Sequence, residues 1–228
     1  MAGKIYGVGV GVGDPEDLTL KAIKIIKGSD VLVCPRKDQD KCRAYQIVKQ
    51  VIPEVDEIET ISFEFEMIKD EVRLENIYED IYKTVNKLVH DGKVVTFLTI
   101  GDPAIYSTYS YIAERAKKDR VETVSISGIS SINACANRLG INLCCGDEQV
   151  HIIPNSESVL SALSLPGTKV FMKSGRDIIK IREILLGRDD IDVYAVSGCG
   201  TKDEICYRSA VEFPDSGEYM MTIIVKEK

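Results

Sequence analysis

Three short segments carry residue types that could hold a small ligand. The first is Gly7-x-Gly9-x-Gly11-x-Gly13-Asp14-Pro15. The second is Gly101-Asp102-Pro103, reached through the apolar run Phe97-Leu98-Thr99-Ile100. The third is Ser127-Gly128-Ile129-Ser130-Ser131. A dinucleotide fingerprint needs G-x-G-x-x-G. Counted from Gly7 the last glycine position holds Val12, and counted from Gly9 it holds Asp14. A phosphate-cradling loop ends in Gly-Lys-Ser/Thr, but Gly13 is followed by Asp14 and Pro15, and an acidic residue there would repel a phosphate. The loop therefore suits a ligand without phosphates against bare backbone. It equally suits a tight strand-to-helix turn in which glycines save space. A lone Gly-Asp-Pro is an ordinary turn, with Asp accepting backbone bonds and Pro fixing φ. Two of them after buried strands, with a serine loop beside them, point to a site, because open parallel sheets bind ligands at the carboxyl ends of their strands.

Other reactive residue types argue for less. The seven cysteines stand at 34, 42, 135, 144, 145, 199 and 206. Their number is odd, no C-x-x-C occurs, and there are only two histidines, so zinc-ligand spacing is absent. They read as reduced thiols that pack. The adjacent Cys144-Cys145 could be redox-active, but nothing nearby argues for it. His90 closes a helix, where it complements the dipole, and His151 lies in a strand; both read as structural.

The elements that must position the three loops alternate along the chain. Strands are predicted over 5–10, 31–34, 93–98, 121–126, 150–153, 169–172 and 192–196. Helices are predicted over 17–27, 43–51, 70–90, 108–118, 129–139, 157–163 and 177–186. The helix over 70–90 has an apolar stripe, Ile77, Ile81, Val85, Leu88 and Val89, at helical spacing. Strands over 205–211 and 219–225 close the chain with no helix between them. This alternation predicts an α/β protein with mostly parallel sheets, and antiparallel strands in the second half. The boundary is expected near Lys117-Lys118-Asp119-Arg120, giving domains 1–118 and 119–228.

Composition bounds the rest. The 228 residues are 44% hydrophobic and 29% charged, which excludes disordered and fibrous classes. With 29 basic and 36 acidic residues the net charge is −7, which argues against sequence-blind binding to nucleic-acid phosphates. No apolar run approaches the ~18 residues of a membrane span. The start, Met1 to Gly7, has no signal-peptide pattern, so a cytoplasmic protein is expected.

Taken together, these motifs resemble the tetrapyrrole methylase family, which uses S-adenosylmethionine. The resemblance rests on Val8-Gly9-Val10-Gly11-Val12-Gly13-Asp14-Pro15 with Leu18-Thr19, Ala22 and Asp30-Val31 behind it. It continues through Gly101-Asp102-Pro103, Gly128-Ile129-Ser130-Ser131 with Ala134 and Leu139-Gly140-Ile141, Met172, and the segment from Gly198 to Glu204. Within the family, Ala104-Ile105-Tyr106-Ser107-Thr108-Tyr109 resembles the precorrin-2 and cobalt-factor II C-20 methyltransferases of cobalamin synthesis. Cys34-Pro35-Arg36-Lys37 with Ala44-Tyr45-Gln46-Ile47 resembles the same branch. One departure is Val12, where the family usually has proline; valine restores an N–H and frees φ, and the loop is expected to persist.

The resemblance implies two α/β domains with S-adenosylmethionine in the cleft between them, S-adenosylhomocysteine as product, and a homodimer. It implies cofactor contacts from Ile100, Gly101, Asp102, Ile105, Ser130, Ser131 and Met172, with later ones near Ser197-Gly198 and Met221-Thr222. The substrate would lie against Gly11, Gly13, Asp14, Arg36 and Lys37, and Tyr106 and Asp102 would act on it. S-adenosylmethionine carries no phosphate, which agrees with glycine loops lacking lysine. A polycarboxylate substrate needs local cations, and Arg36, Lys37, Arg43, Arg138, Lys173 and Arg176 lie in or near the relevant loops. A proton must leave C-20, and Asp102, Asp147, Glu148 and Glu204 are the candidate bases. No protein metal site, nucleic-acid partner or membrane contact is expected. The rival readings are methylation of another tetrapyrrole carbon, of RNA or of protein; a nicotinamide-dependent oxidoreductase; and a non-catalytic relative that binds the cofactor.

Overall fold

The computed structural model describes residues 3–65, 70–154, 158–217 and 220–228. The chain divides into two compact units, Met1–Ser130 and Ser131–Lys228, each built on a five-stranded sheet. Among the described residues no helix is long and apolar enough to cross a membrane.

In the first unit the strands are β1 (Lys4–Gly9), β2 (Val31–Cys34), β3 (Glu59–Ser62), β4 (Val94–Thr99) and β5 (Thr123–Ile126). Their order across the sheet is β3-β2-β4-β1-β5, and every neighbouring pair is parallel. The helices are α1 (Leu20–Lys27), α2 (Arg43–Val51), α3 (Glu71–His90) and α4 (Tyr109–Lys118). Side chains on successive strand positions point to opposite faces, and both faces are covered. Val8, Leu32, Cys34 and Leu98 pack with Ala22 and Ile26 of α1 and Ala44, Tyr45 and Val48 of α2. Ile5, Val31, Val33, Val95 and Phe97 pack with Tyr78, Ile81 and Val85 of α3 and Tyr109 and Ile112 of α4. Two-sided burial explains the near-continuous apolar runs of β1, β2 and β4. Each fully buried aliphatic side chain stabilises by about 1.5–3 kcal/mol relative to exposure.

In the second unit α5 (Ser131–Leu139), α6 (Val159–Ala162) and α7 (Ile178–Leu186) accompany β6 (Val150–Ile153), β7 (Thr168–Phe171), β8 (Ile191–Ser197), β9 (Ile205–Tyr207) and β10 (Met221–Glu227). The order is β6-β7-β10-β8-β9. Only β6 and β7 run parallel; β10 lies antiparallel between β7 and β8, and β9 is antiparallel to β8. The core holds Phe171, Ile178, Ile181, Ala195, Met221 and Ile223.

The α/β class and the antiparallel second half are as expected, and four details differ. The first unit extends to Ser130 instead of ending at 118, because β5 pairs with β1 and Arg120, at φ 58°, is part of the turn between α4 and β5. The helix expected over 17–27 starts at Leu20, because Pro15–Asp17 forms a separate turn and the Thr19 hydroxyl caps α1 by accepting from the Ala22 N–H at 3.1 Å. The strand expected over 205–211 stops at Tyr207, where the chain turns to bury Ala210 and Phe213 and the Arg208 N–H donates to the Glu212 carboxylate. Strand β3 had no sequence signal, since Glu-Thr-Ile-Ser at an edge has a single apolar side chain. Glu157 and Tyr219, expected to open a helix and a strand, lie outside the described residues.

Candidate functional site

Strand order marks a candidate ligand site at one end of the first unit's sheet. β1 lies between β4 and β5, so the chain leaves the sheet on different sides around it, the switch point at which open α/β sheets bind ligands. The loops that follow β1, β4 and β5 are the three segments singled out from the sequence. They meet backbone to backbone. The Val10 N–H donates to the Thr99 carbonyl at 2.9 Å, and the Gly101 N–H donates to the Gly11 carbonyl at 2.8 Å. Gly11 and Gly101 both have φ near +75° (75° and 74°), which only glycine adopts readily. A Cβ on Gly9 would lie 2.6 Å from the Gly128 nitrogen, and one on Gly128 would lie 2.6 Å from the Gly9 carbonyl carbon. Two readings of the glycines were open. At Gly9 and Gly128 the structure shows close packing of one loop on another, and at Gly7 it shows a strand packed on the Tyr109 ring.

Asp102 ties two of the loops together. Its Oδ1 accepts from the Ala104 N–H at 2.8 Å within its own turn, and its Oδ2 accepts from the Gly128 N–H at 3.1 Å. Beyond it, Tyr106 has the left-handed φ of 47° and is 48% exposed. The backbone returns to α4 through Ser107, whose buried hydroxyl accepts from the Tyr109 N–H and lies 3.2 Å from the Thr99 hydroxyl. That buried hydroxyl pair was not foreseen, although Thr99 ends an apolar strand where a polar residue needs a partner. Ile100 and Ile105 lie half-buried on this loop, and Ser130 is buried at the end of the third.

The loop after β1 is fastened from elsewhere. Val12 is buried, and its carbonyl accepts from the Arg43 guanidinium of α2 at 2.8 Å. Arg43 thus already has a partner within the fold. Gly13 is half-buried, and Asp14 caps the turn at Pro15–Asp17 by accepting from the Glu16 N–H at 3.0 Å. Arg36 and Lys37 are exposed just past β2, and β4 separates that strand from β1. Cys34 and Cys42 are buried beside each other at this end. The hydrogen bond from Cys34, backbone N–H groups at the start of α2, and Arg36 together bring the Cys42 thiol down to about 7.

In the second unit the expected contacts gather at one end of the sheet. Met172 follows β7, Ser197 ends β8 with Gly198 just past it, and Met221 and Thr222 begin the antiparallel β10 between them. Met172 is buried outside the main core cluster, whereas Met221 belongs to it and fills core. Gly198 turns at φ 61°, and its carbonyl accepts from both the N–H and the hydroxyl of Thr201. Thr222 bonds the buried Cys135 of α5, the helix that Ser131 opens. Lys173 sits next to Met172, and burial pushes its ammonium pKa below the usual range.

The other candidate bases have partners within the fold or lie at the far end of the second sheet. Glu204 accepts from the Gly200 N–H at 2.6 Å and lies 3.4 Å from Arg138. Glu148 accepts from the Cys145 N–H and lies 3.6 Å from Lys226. Asp147 and Glu148 line a depression of about 440 Å³ with Thr168 and Glu227. That is the opposite end of the sheet from Met172, because Thr168 begins β7 and Glu227 ends β10. Among the described residues no group of three or more His, Cys, Asp and Glu could hold a metal ion.

The loops after β1, β4 and β5 offer neutral and acidic groups, which suits a ligand bearing positive charge and no phosphate. Comparison with known proteins identifies what the chain resembles. The family model for tetrapyrrole (corrin/porphyrin) methylases matches residues 4–213. The probable cobalt-precorrin-2 C(20)-methyltransferase of Methanocaldococcus jannaschii is 35% identical, over 98% of this chain and 96% of that protein. The precorrin-2 C(20)-methyltransferase of a Sinorhizobium species is 30% identical, over 98% and 95%. The solved structure of a cobalt precorrin-4 methyltransferase matches with a TM-score of 0.75 at 19% identity, covering 98% of this chain and 94% of that one, a likeness of fold.

Proposed function

The chain belongs to the tetrapyrrole methylase family, and on that premise we propose that it transfers a methyl group from S-adenosylmethionine to the C-20 meso carbon of a reduced tetrapyrrole in cobalamin biosynthesis. The observation that carries this reading is the near full-length match to proteins named for C(20) methylation. The substrate is cobalt-factor II or precorrin-2. The enzyme is proposed to work in the cytoplasm as a homodimer.

The residues fit the methyl donor by their chemistry. S-adenosylmethionine has a sulfonium, an ammonium and a carboxylate, and the loops after β1, β4 and β5 bring an acidic side chain, hydroxyls and apolar groups with no cation of their own. Ile100, Gly101, Asp102, Ile105 and Ser130 of the first unit are its proposed contacts, with Ser131, Met172, Ser197, Gly198 and Thr222 of the second. Bound there, it supplies a methyl carbon already activated by its sulfonium. The protein's own work is then to hold the substrate carbon in line and exclude water. Asp102 has both carboxylate oxygens on backbone N–H groups, so its role is to fix the loop that holds the donor. Tyr106, exposed on that loop, orients the substrate. Gly11, Gly13 and Asp14 form the substrate-facing wall, which Arg43 anchors through Val12. Arg36 and Lys37 supply exposed cations for substrate carboxylates.

Anaerobic incubation with S-adenosylmethionine and either substrate should yield a product heavier by one methyl group, read by mass spectrometry. No mass gain with either substrate, while S-adenosylhomocysteine binds measurably, would remove the catalytic reading. Arg36→Ala should weaken tetrapyrrole binding roughly tenfold, the worth of one charge-assisted bond, and leave S-adenosylhomocysteine affinity unchanged. An unchanged tetrapyrrole titration would take Arg36 out of the site.

A further inference from the structure

We propose that Lys173 is a carboxylate-binding residue of this protein, completed by a ligand and not by the fold. The inference rests on the methyltransferase reading above, which supplies two carboxylate sources: the amino-acid end of the methyl donor and the acidic side chains of the tetrapyrrole.

Three observations single Lys173 out from the other cations near the loops. First, its backbone is left-handed, at φ 56° and ψ 32°. Glycine takes that conformation freely and a residue with a side chain does not. The turn around it is held on both sides. The Met172 N–H donates to the Ile153 carbonyl at 2.9 Å, the Ser174 hydroxyl donates to the Met172 carbonyl at 3.2 Å, and Ser174 and Gly175 are buried. A Cβ on Gly217 would lie 3.0 Å from the Gly175 Cα, so the chain packs closely there as well. A lysine kept in a conformation suited to glycine is backbone strain of the kind that gathers at ligand sites.

Second, the side chain is half-buried, yet among the described residues no carboxylate stands within 4.0 Å of its ammonium. Lys169, on β7 just before it, shows what the fold does with a buried lysine that it completes itself: its Nζ meets the Glu227 carboxylate at 3.0 Å. Burial also depresses the Lys173 ammonium pKa. An unpaired cation removed from water is costly until an anion arrives. Third, the alternatives differ in kind. Arg43 binds the Val12 carbonyl, Arg138 lies against Glu204, and Arg36 and Lys37 are exposed.

The test uses full-length protein with Lys173→Gly, which removes the ammonium and relaxes the backbone, and Lys173→Arg, which keeps a cation. Each is titrated calorimetrically with S-adenosylhomocysteine and, under strict anaerobiosis, with precorrin-2. Lys173→Gly should melt no lower than the parent protein and bind one ligand roughly 10- to 100-fold more weakly, as for a lost charged hydrogen bond. Lys173→Arg should retain most of the affinity. Loss confined to S-adenosylhomocysteine assigns the carboxylate to the methyl donor, and loss confined to precorrin-2 assigns it to the tetrapyrrole. Affinities within twofold of the parent for both ligands overturn the inference. So does a lowered melting temperature with both affinities lost and no rescue by arginine, which marks a structural residue. Parent protein that binds neither ligand overturns the functional reading first, and this inference with it.

Discussion

The same tripeptide, Gly-Asp-Pro, stands after β1 and after β4, and the two copies do different work. Asp14 lies five residues past Gly9, the last residue of β1, and its carboxylate caps a turn of its own loop. Asp102 lies three residues past Thr99, the last residue of β4. From there its carboxylate serves its own turn and also reaches the Gly128 N–H of the loop after β5. Asp14 closes its own turn, and Asp102 closes its turn and also fastens one loop to another. Standing closer to its strand end, Asp102 is within reach of the loop after β5. A motif is therefore informative in proportion to what its position lets it touch.

That contrast predicts a ranked series of effects on stability. The largest belongs to Gly128→Ala, whose new methyl meets the Gly9 backbone. Overpacking of this kind should cost about 2–3 kcal/mol in a denaturant titration. A change below about 0.5 kcal/mol would mean that the loops do not pack as described. Next is Asp102→Ala, which leaves two backbone donors without their acceptor. About 2 kcal/mol should be lost, together with affinity for S-adenosylhomocysteine, and Asp102→Asn should fall between it and the parent. Arg43→Ala should cost about 1 kcal/mol by freeing the Val12 carbonyl, with its effect on function confined to the tetrapyrrole side. The smallest belongs to Asp14→Ala, which removes the cap on the Glu16 N–H and should cost about 0.5–1 kcal/mol. If Asp14→Ala proved as damaging as Asp102→Ala, the distinction between the two loops would fail.

Much of the fold was legible in the sequence because buried parallel strands are nearly continuous apolar runs and the helices between them keep their spacing. The ends of elements were less so. Thr19 sets the start of α1 through one hydroxyl, and β3 is an edge strand with a single apolar residue. The domain boundary was misplaced because the basic run at 117–120 looks like a linker, whereas the pairing of β5 with β1 keeps the following strand in the first unit. The three site loops were legible from glycine and Gly-Asp-Pro spacing. Their fastenings were not, since they join positions 26 and 31 residues apart, Asp102 to Gly128 and Arg43 to Val12. Among the charged candidates, sequence could not separate side chains with internal partners from those without. Arg43, Arg138 and Glu204 have them, and Lys173 differs from Lys169 in having no carboxylate partner among the described residues. Nor could sequence show that Asp147 and Glu148 stand at the end of their sheet away from Met172.

The central claim is that the methyl group goes to C-20. The measurement that meets it most directly is NMR of the product formed anaerobically from methyl-labelled S-adenosylmethionine with cobalt-factor II and, separately, with precorrin-2. The account predicts label on C-20 in the product of at least one substrate, and the preferred substrate then shows whether cobalt is already in the ring. Label on any other carbon would keep the family and contradict the assigned reaction.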